Sequence, residues 1–296
     1  MTMPKSFFVV LLLCLASVSC APRETVKPPA AVKPARIAVA LGAGAARGFA
    51  HIGVLKVLET NNIPIDLIVG TSAGSLVGSL YASGIHAFQL QTLAMDLRKE
   101  DVIDYMLPDN GFIRGEKLAN FVNKTVHRVP LEKMRTPLRI VATDIRTGGE
   151  TVFATGDTGW AVRASCAVPG VFQPVQIAQK TYVDGGVVSP VAVRAARQAG
   201  ADIVIAVDIS SGVNGAAPQA TLDTILQSID IMHSLIATIQ LKDADVIIKP
   251  KVAHIGSADF DRRAEAILEG EKAAVQALPR IRSMMERLRR EGRLRT

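Results

Sequence analysis

The sequence is poor in aromatic residues, which make up 4% of its 296 positions, and it holds only three cysteines. Two of these, Cys14 and Cys20, fall in the first twenty residues, so Cys166 alone remains in the body and no internal disulfide can close there. No cluster of His, Cys, Asp or Glu has metal-ligand spacing, and no metal or other cofactor is expected. Charge is scarce too, at 21% of residues, and its excess is local: residues 280–296 carry seven arginines against two glutamates. The rest is close to neutral, which argues against a nucleic-acid-binding surface. What the chain does have is Ala, Val, Ile, Leu and Gly, a composition that suits an α/β fold with close helix–sheet packing.

Lys5, the apolar run Phe7 to Ala16 and the small residues Ser17-Val18-Ser19 before Cys20 read as a secretory signal over 1–20. The apolar run is too short to span a bilayer as a helix. The segment resembles a bacterial lipoprotein signal, in which the cysteine becomes the lipidated N-terminus. Ser17 stands where leucine is most common, so cleavage without lipidation stays open. Residues 21–35, with Pro28, Pro29 and Pro34, form an extended spacer. The expected location is the bacterial cell envelope, anchored through Cys20 or periplasmic. The basic end, 280–296, either meets anionic lipid headgroups or is a solvated helix face.

A folded domain is expected over 36–255, with a helical C-terminal extension, 256–296, packed on it. Ile37 to Leu41 reads as a buried strand, Phe49 to Thr60 as a helix and Leu67 to Val69 as the next strand. Between the first two lies Gly42-Ala43-Gly44-Ala45-Ala46-Arg47-Gly48. After the second strand comes Gly70-Thr71-Ser72-Ala73-Gly74, then a small-residue helical stretch. Both loops thus sit at the C-terminal ends of strands, where open α/β sheets place their sites. Residues 85–135 read as mainly helical, with a turn at Pro108–Gly111. A strand over Leu138 to Ile145 turns at Thr147–Glu150 into Thr151–Ala154, and a short helix ends near Ser165. Further helices are expected at Pro190–Ala199, 221–241 and 260–291, strands at 202–209 and 245–249, and a flexible loop at 211–220.

A serine between two glycines, after a strand and before a helix, has the pattern of a nucleophile elbow, though an ordinary βα turn also favours these residues. The upstream loop fits a dinucleotide fingerprint poorly, because Arg47 occupies the place of its third glycine. It fits an oxyanion hole better, with backbone N–H groups exposed by small residues at a helix start. A nucleophilic serine needs a base. None of His51, His86, His127, His233 and His254 sits in a motif, although the order Ser72, Asp208, His254 suits an α/β-hydrolase triad. Asp184, followed by Gly185 and Gly186 at a strand end, is the other candidate: a carboxylate withdrawn from water can accept the proton directly. Asp144 and Asp208 end apolar strands and suit turn duty, and Cys166 suits a buried, inert thiol.

The blocks Gly42–Gly48 running into Phe49–Leu55, Gly70–Gly74, Ala164-Ser165 with Pro169 and Phe172, and Asp184-Gly185-Gly186 occur in one order. Together they resemble the patatin-like phospholipases of bacterial type, and Leu268-Glu269-Gly270 with Ala273-Ala274 extends the similarity. The resemblance implies a three-layer α/β/α fold with a central, mostly parallel sheet. It implies a Ser–Asp dyad with Ser72 as nucleophile and Asp184 as proton acceptor. Gly42, Gly44, Ala45, Ala46, Arg47 and Gly48 would form the oxyanion hole, and the substrate would be a lipid or phospholipid acyl ester. Many family members have three consecutive glycines where Ala43 and Ala45 interrupt the run here. That departure motivates an alternative, a membrane-tethered binding or scaffold protein on an inactive fold of the same kind.

Overall fold

The computed structural model describes residues 33–107, 111–211 and 218–294. The signal-like segment with Cys20, most of the spacer, Pro108–Asn110 and the centre of the 211–220 loop lie outside the described residues. The elements, in order, are β1 (Ile37–Leu41), α1 (Phe49–Thr60), β2 (Leu67–Thr71), α2 (Ala73–Ala82), α3 (Ala87–Asp96), α4 (Lys99–Val102), α5 (Glu116–Thr125), β3 (Leu138–Asp144), β4 (Gly149–Phe153) and α6 (Thr158–Ser165). There follow β5 (Val175–Ile177), β6 (Lys180–Asp184), α7 (Val193–Gln198), β7 (Ile203–Val207), α8 (Thr221–Gln240), β8 (Val246–Ile248) and α9 (Arg263–Arg290).

The strands form one mixed sheet in the order β5-β6-β3-β2-β1-β7-β8, with β4 paired to β3. Its centre, from β3 to β8, is parallel. Central strands such as β1 and β7 are buried at every position, as parallel strands covered on both faces must be. Their residues alternate between two cores. Ile37, Val39 and Leu41 face the larger one, filled by α1, α2, α3, α5 and α9. Ala38, Ala40 and Ala206 face the other, where the small side chains let α7 and the end of α8 come close. That is a three-layer α/β fold.

One edge of β3 serves two strands. β2 runs parallel to its first half and ends with Thr71 beside Val141. β6 runs antiparallel to its second half and ends with Asp184 beside Ala142. The two chains therefore meet head to head, one register apart on a single strand, and the residues just past each end are forced together.

Some expectations needed correction. The helix expected from Pro190 starts only at Val193, because the Pro190 carbonyl instead accepts the Ala43 N–H of the Gly-rich loop, at 2.8 Å. The region 85–135 is less helical than expected: among the described residues between α4 and α5 there is no helix, and Tyr105 bridges to Ile113. The antiparallel β5–β6 pair was not foreseen as a hairpin. In the basic end, Arg282 donates to Asn61 and Arg293 pairs with Asp202 at 2.8 Å, tying α9 and its tail to the body. No helix among the described residues is long and apolar enough to cross a membrane.

Candidate active site

Ser72 stands between β2 and α2 with φ 52° and ψ −123°, a conformation a non-glycine residue adopts only under constraint. The constraint is close packing. A Cβ on Gly70 would lie 2.5 Å from the Ser75 Cα, and one on Gly74 would lie 2.0 Å from the Leu41 carbonyl oxygen. Both glycines are thus required by approach. The turn is also held by hydrogen bonds: the Ser72 N–H donates to Ser165 Oγ at 2.8 Å, Ser165 Oγ donates to the Val141 carbonyl at 2.6 Å, and Ser75 Oγ donates to the Ser72 carbonyl at 2.7 Å.

The Ser72 hydroxyl donates to Asp184 Oδ2 at 2.6 Å. Asp184 Oδ1 accepts the Gly186 N–H at 2.7 Å, and the Asp184 carbonyl accepts Thr143 Oγ1 at 2.9 Å. Asp184 is 1% exposed and Ser72 5%. Burial pushes the Asp184 carboxyl up to about 7, against the pull of its Ser72 and Gly186 hydrogen bonds. Gly185 and Gly186 are close-packed as well, against the Val141 carbonyl and His233 respectively.

The Gly42–Gly48 loop lies against this pair. A Cβ on Gly48 would come within 2.6 Å of the Ala73 Cβ, so the loop abuts the elbow directly. Of its N–H groups, that of Gly42 is bound to Val207, that of Ala46 to Ser257 and that of Arg47 to Gly44. Those of Gly44 and Ala45 have no partner among the described residues. The six-residue oxyanion loop inferred from the sequence thus narrows, since an N–H already bound to protein is not free for a substrate oxygen. Ala45 has φ 51° and, like Ser72, is strained. The Arg47 side chain is buried and paired with Asp230 of α8, at 2.7 Å; it anchors the loop.

The triad order fails. Asp208 is paired with Lys249 at 2.9 Å and caps its own turn through Ser210, while His254 is bound to Glu265 at 2.7 Å. Asp144 also serves its turn, accepting the Arg146 N–H. His86 and His127 are exposed. Cys166 is buried, and burial pushes its thiol well above the ordinary range. Two histidines without a sequence motif do matter locally. His51 Nε2 bonds the Gly42 carbonyl at 2.8 Å and pins the Gly-rich loop. His233 packs on Gly186, and its Nε2 has no hydrogen-bond partner among the described residues. Burial lowers both imidazoles to about 4, so both are neutral near pH 7.

Above Ser72 opens a cavity of about 310 Å³. Its wall is almost wholly apolar, including Phe49, Leu76, Val102, Phe112, Phe172 and Leu226. Ala45 and Ser72, both with positive φ, line it together. A hydroxyl bonded to a buried carboxylate, unbound N–H groups and an apolar chamber suit acyl transfer from a long-chain ester.

The family model for patatin-like phospholipases matches residues 39–197, the span that carries Ser72, Asp184 and the Gly42–Gly48 loop. The chain belongs to the patatin-like phospholipase family. This patatin-like chain is 34% identical over 188 residues to an "Uncharacterized NTE family protein" of Mycobacterium tuberculosis, across 62% of this chain and 52% of that protein. It is 35% identical over 187 residues to human patatin-like phospholipase domain-containing protein 6, across 59% of this chain and 13% of that one. "Lysophospholipase NTE1" of Pyricularia oryzae is 25% identical over 279 residues, across 83% of this chain and 18% of the fungal protein. The chain spans about half the length, or less, of these relatives. Among solved structures, VipD from Legionella pneumophila matches with a TM-score of 0.59 at 14% identity, over 84% of this chain and 67% of that one, a likeness of fold alone.

Proposed function

We propose that this patatin-like protein is a serine acyl hydrolase that cleaves lipid or phospholipid acyl esters. The observation that carries the reading is the 2.6 Å hydrogen bond from the strained Ser72 to the buried Asp184, at the floor of an apolar cavity. Ionised Asp184 takes the Ser72 proton as Oγ attacks the ester carbonyl. The Gly44 and Ala45 N–H groups receive the oxyanion. The tetrahedral species collapses, Asp184 returns the proton to the departing alkoxide, and the alcohol leaves. Asp184 then takes a proton from water, whose hydroxide attacks the acyl-serine. Ser72 regains its proton and the fatty acid is released.

Activity-based labelling tests this. A fluorophosphonate should form an adduct with wild type and none with Ser72→Ala, and nitrophenyl-ester turnover should fall at least a thousandfold in Ser72→Ala and Asp184→Asn. Undiminished turnover in both would falsify the dyad, and absence of any adduct would favour the binding-protein reading. We further propose lipidation at Cys20 and a place at the cell-envelope membrane; the mass of the mature N-terminus decides it.

A further inference from the structure

One charged side chain stands on the wall of the cavity above Ser72: Lys99, at the start of α4. It is partly buried, yet among the described residues its ammonium has no salt-bridge or hydrogen-bond partner. The acids around it are committed elsewhere. Glu100 reaches Arg98 at 3.7 Å, and the Asp104 carboxylate accepts the N–H groups of Gly115, Glu116 and Lys117. The neighbouring cation is also engaged, since Lys117 Nζ donates to the Glu100 carbonyl at 2.8 Å. An ammonium withdrawn toward an apolar wall without an anion is unfavourable, and it is relieved when an anion arrives.

Lys99 also faces a second space. An open depression of about 400 Å³, with Glu100, Asp104 and Lys117 on its wall, lies next to the apolar cavity and shares with it Lys99, Ile103 and Tyr105. The lysine thus stands between an apolar chamber that ends at Ser72 and a hollow open to water with charged side chains on its wall. A glycerophospholipid has the same division: an acyl chain, an ester, then a phosphate and a polar headgroup.

We propose that Lys99 forms the phosphate subsite of a glycerophospholipid substrate, with the acyl chain in the apolar cavity and the headgroup in the adjoining depression. This rests on the acyl-hydrolase reading above. A compact ammonium suits a phosphodiester as a point charge, without fixing which headgroup follows it. It gives no such advantage to a neutral glyceride, so the residue sets preference between two ester classes that the apolar cavity accepts equally.

The test compares palmitoyl lysophosphatidylcholine with monopalmitoylglycerol in the same detergent micelles. The readout is the ratio of their kcat/KM values in wild type, Lys99→Met and Lys99→Arg. Lys99→Met keeps an apolar stem and removes the charge. The ratio should fall tenfold or more in Lys99→Met, chiefly through KM for the phosphodiester, and recover in Lys99→Arg. An unchanged ratio, or an equal loss on both substrates, overturns the proposal. A second measurement separates it from the reading beneath it: pyrene-labelled forms of both lipids titrated into Ser72→Ala, with and without Lys99→Met. The same tenfold gap in Kd is expected there even if turnover is absent, and no gap overturns the subsite.

Discussion

Asp184 is asked to hold a proton and to let it go. Its burial holds the carboxyl near 7 in the folded chain, where an unfolded chain releases the proton near 4. Two consequences follow from that one shift. Ester turnover needs the ionised form, so kcat/KM for a nitrophenyl ester should rise with pH and level off above about 7. The folded state also binds the extra proton between about pH 4 and 7, so this group's stabilising contribution declines as pH rises across that window. Asp184→Asn should therefore be inactive and yet melt higher than wild type at pH 8, with the difference gone near pH 4. A melting point at pH 8 no higher than wild type would show that the carboxylate is not held against its burial. Ser165 acts at the same scale by other means. It accepts the Ser72 N–H and donates to Val141, and it is fully buried. Ser165→Ala should cost about 1–3 kcal/mol in urea unfolding and slow fluorophosphonate labelling roughly tenfold or more, as the elbow loosens. Ser72 and Asp184 were legible in the sequence because each sits in a local motif whose glycines announce a tight turn. Ser165 was visible only as part of a block, without a role, because its partners lie far away along the chain. His233 left no signal for the same reason, since the Gly186 it packs on is remote in sequence, while His51 fell within a block but without a role.

At the scale of elements, the alternation of apolar strand, small-residue loop and amphipathic helix was readable from β1 through α2, since both periods are written locally. The β5–β6 pair was not. Its strands are short and half-buried, and what makes them strands is the free edge of β3 that β2 leaves uncovered. The late start of α7 has a similar cause, a contact with a loop about 150 residues earlier. α1 and α9 cross in close contact: a Cβ on Gly53 would lie 1.9 Å from the Ile267 carbonyl oxygen, and one on Gly270 would lie 2.0 Å from that of Ala50. Each helix thus touches the other's backbone through a glycine. Gly270→Ala should push them apart and cost about 2 kcal/mol or more, read from urea unfolding. Because α1 also carries His51, labelling of Ser72 should slow with it.

For the molecule as a whole, acid acts through the two buried imidazoles. Both fall to about 4 when folded, from an ordinary 6.5, so their stabilising contribution is complete above about pH 6.5 and is lost as pH falls toward 4. This opposes the trend set by Asp184. His51→Gln keeps a donor that reaches toward the Gly42 carbonyl but does not titrate. Between pH 7 and 4.5 it should lose about 2 kcal/mol less than wild type does, measured by urea unfolding at both values. An equal loss would place the acid sensitivity elsewhere. The cavity is likewise a property of the whole chain. Its wall draws on α1, α2, the 97–118 region, the segment after α6, the start of α8 and the stretch before α9. No sequence pattern announces such a surface, because its lining side chains are scattered along the chain.

The head-to-head meeting of β2 and β6 on β3 has a consequence for how such a protein can change. The distance between Ser72 and Asp184 is fixed by adjacent positions on one strand's backbone. The stretch that carries Lys99, Tyr105 and Phe112 is an excursion that leaves the sheet after α2 and returns at β3. Neither Ser72 nor Asp184 lies on it, so exchange of the side chains it gives to the cavity wall leaves that register in place. On the proposed reading, reaction and selectivity are therefore written on different parts of the chain, and new substrates can be explored by exchanging side chains of one excursion while the Ser72–Asp184 pair stays in register.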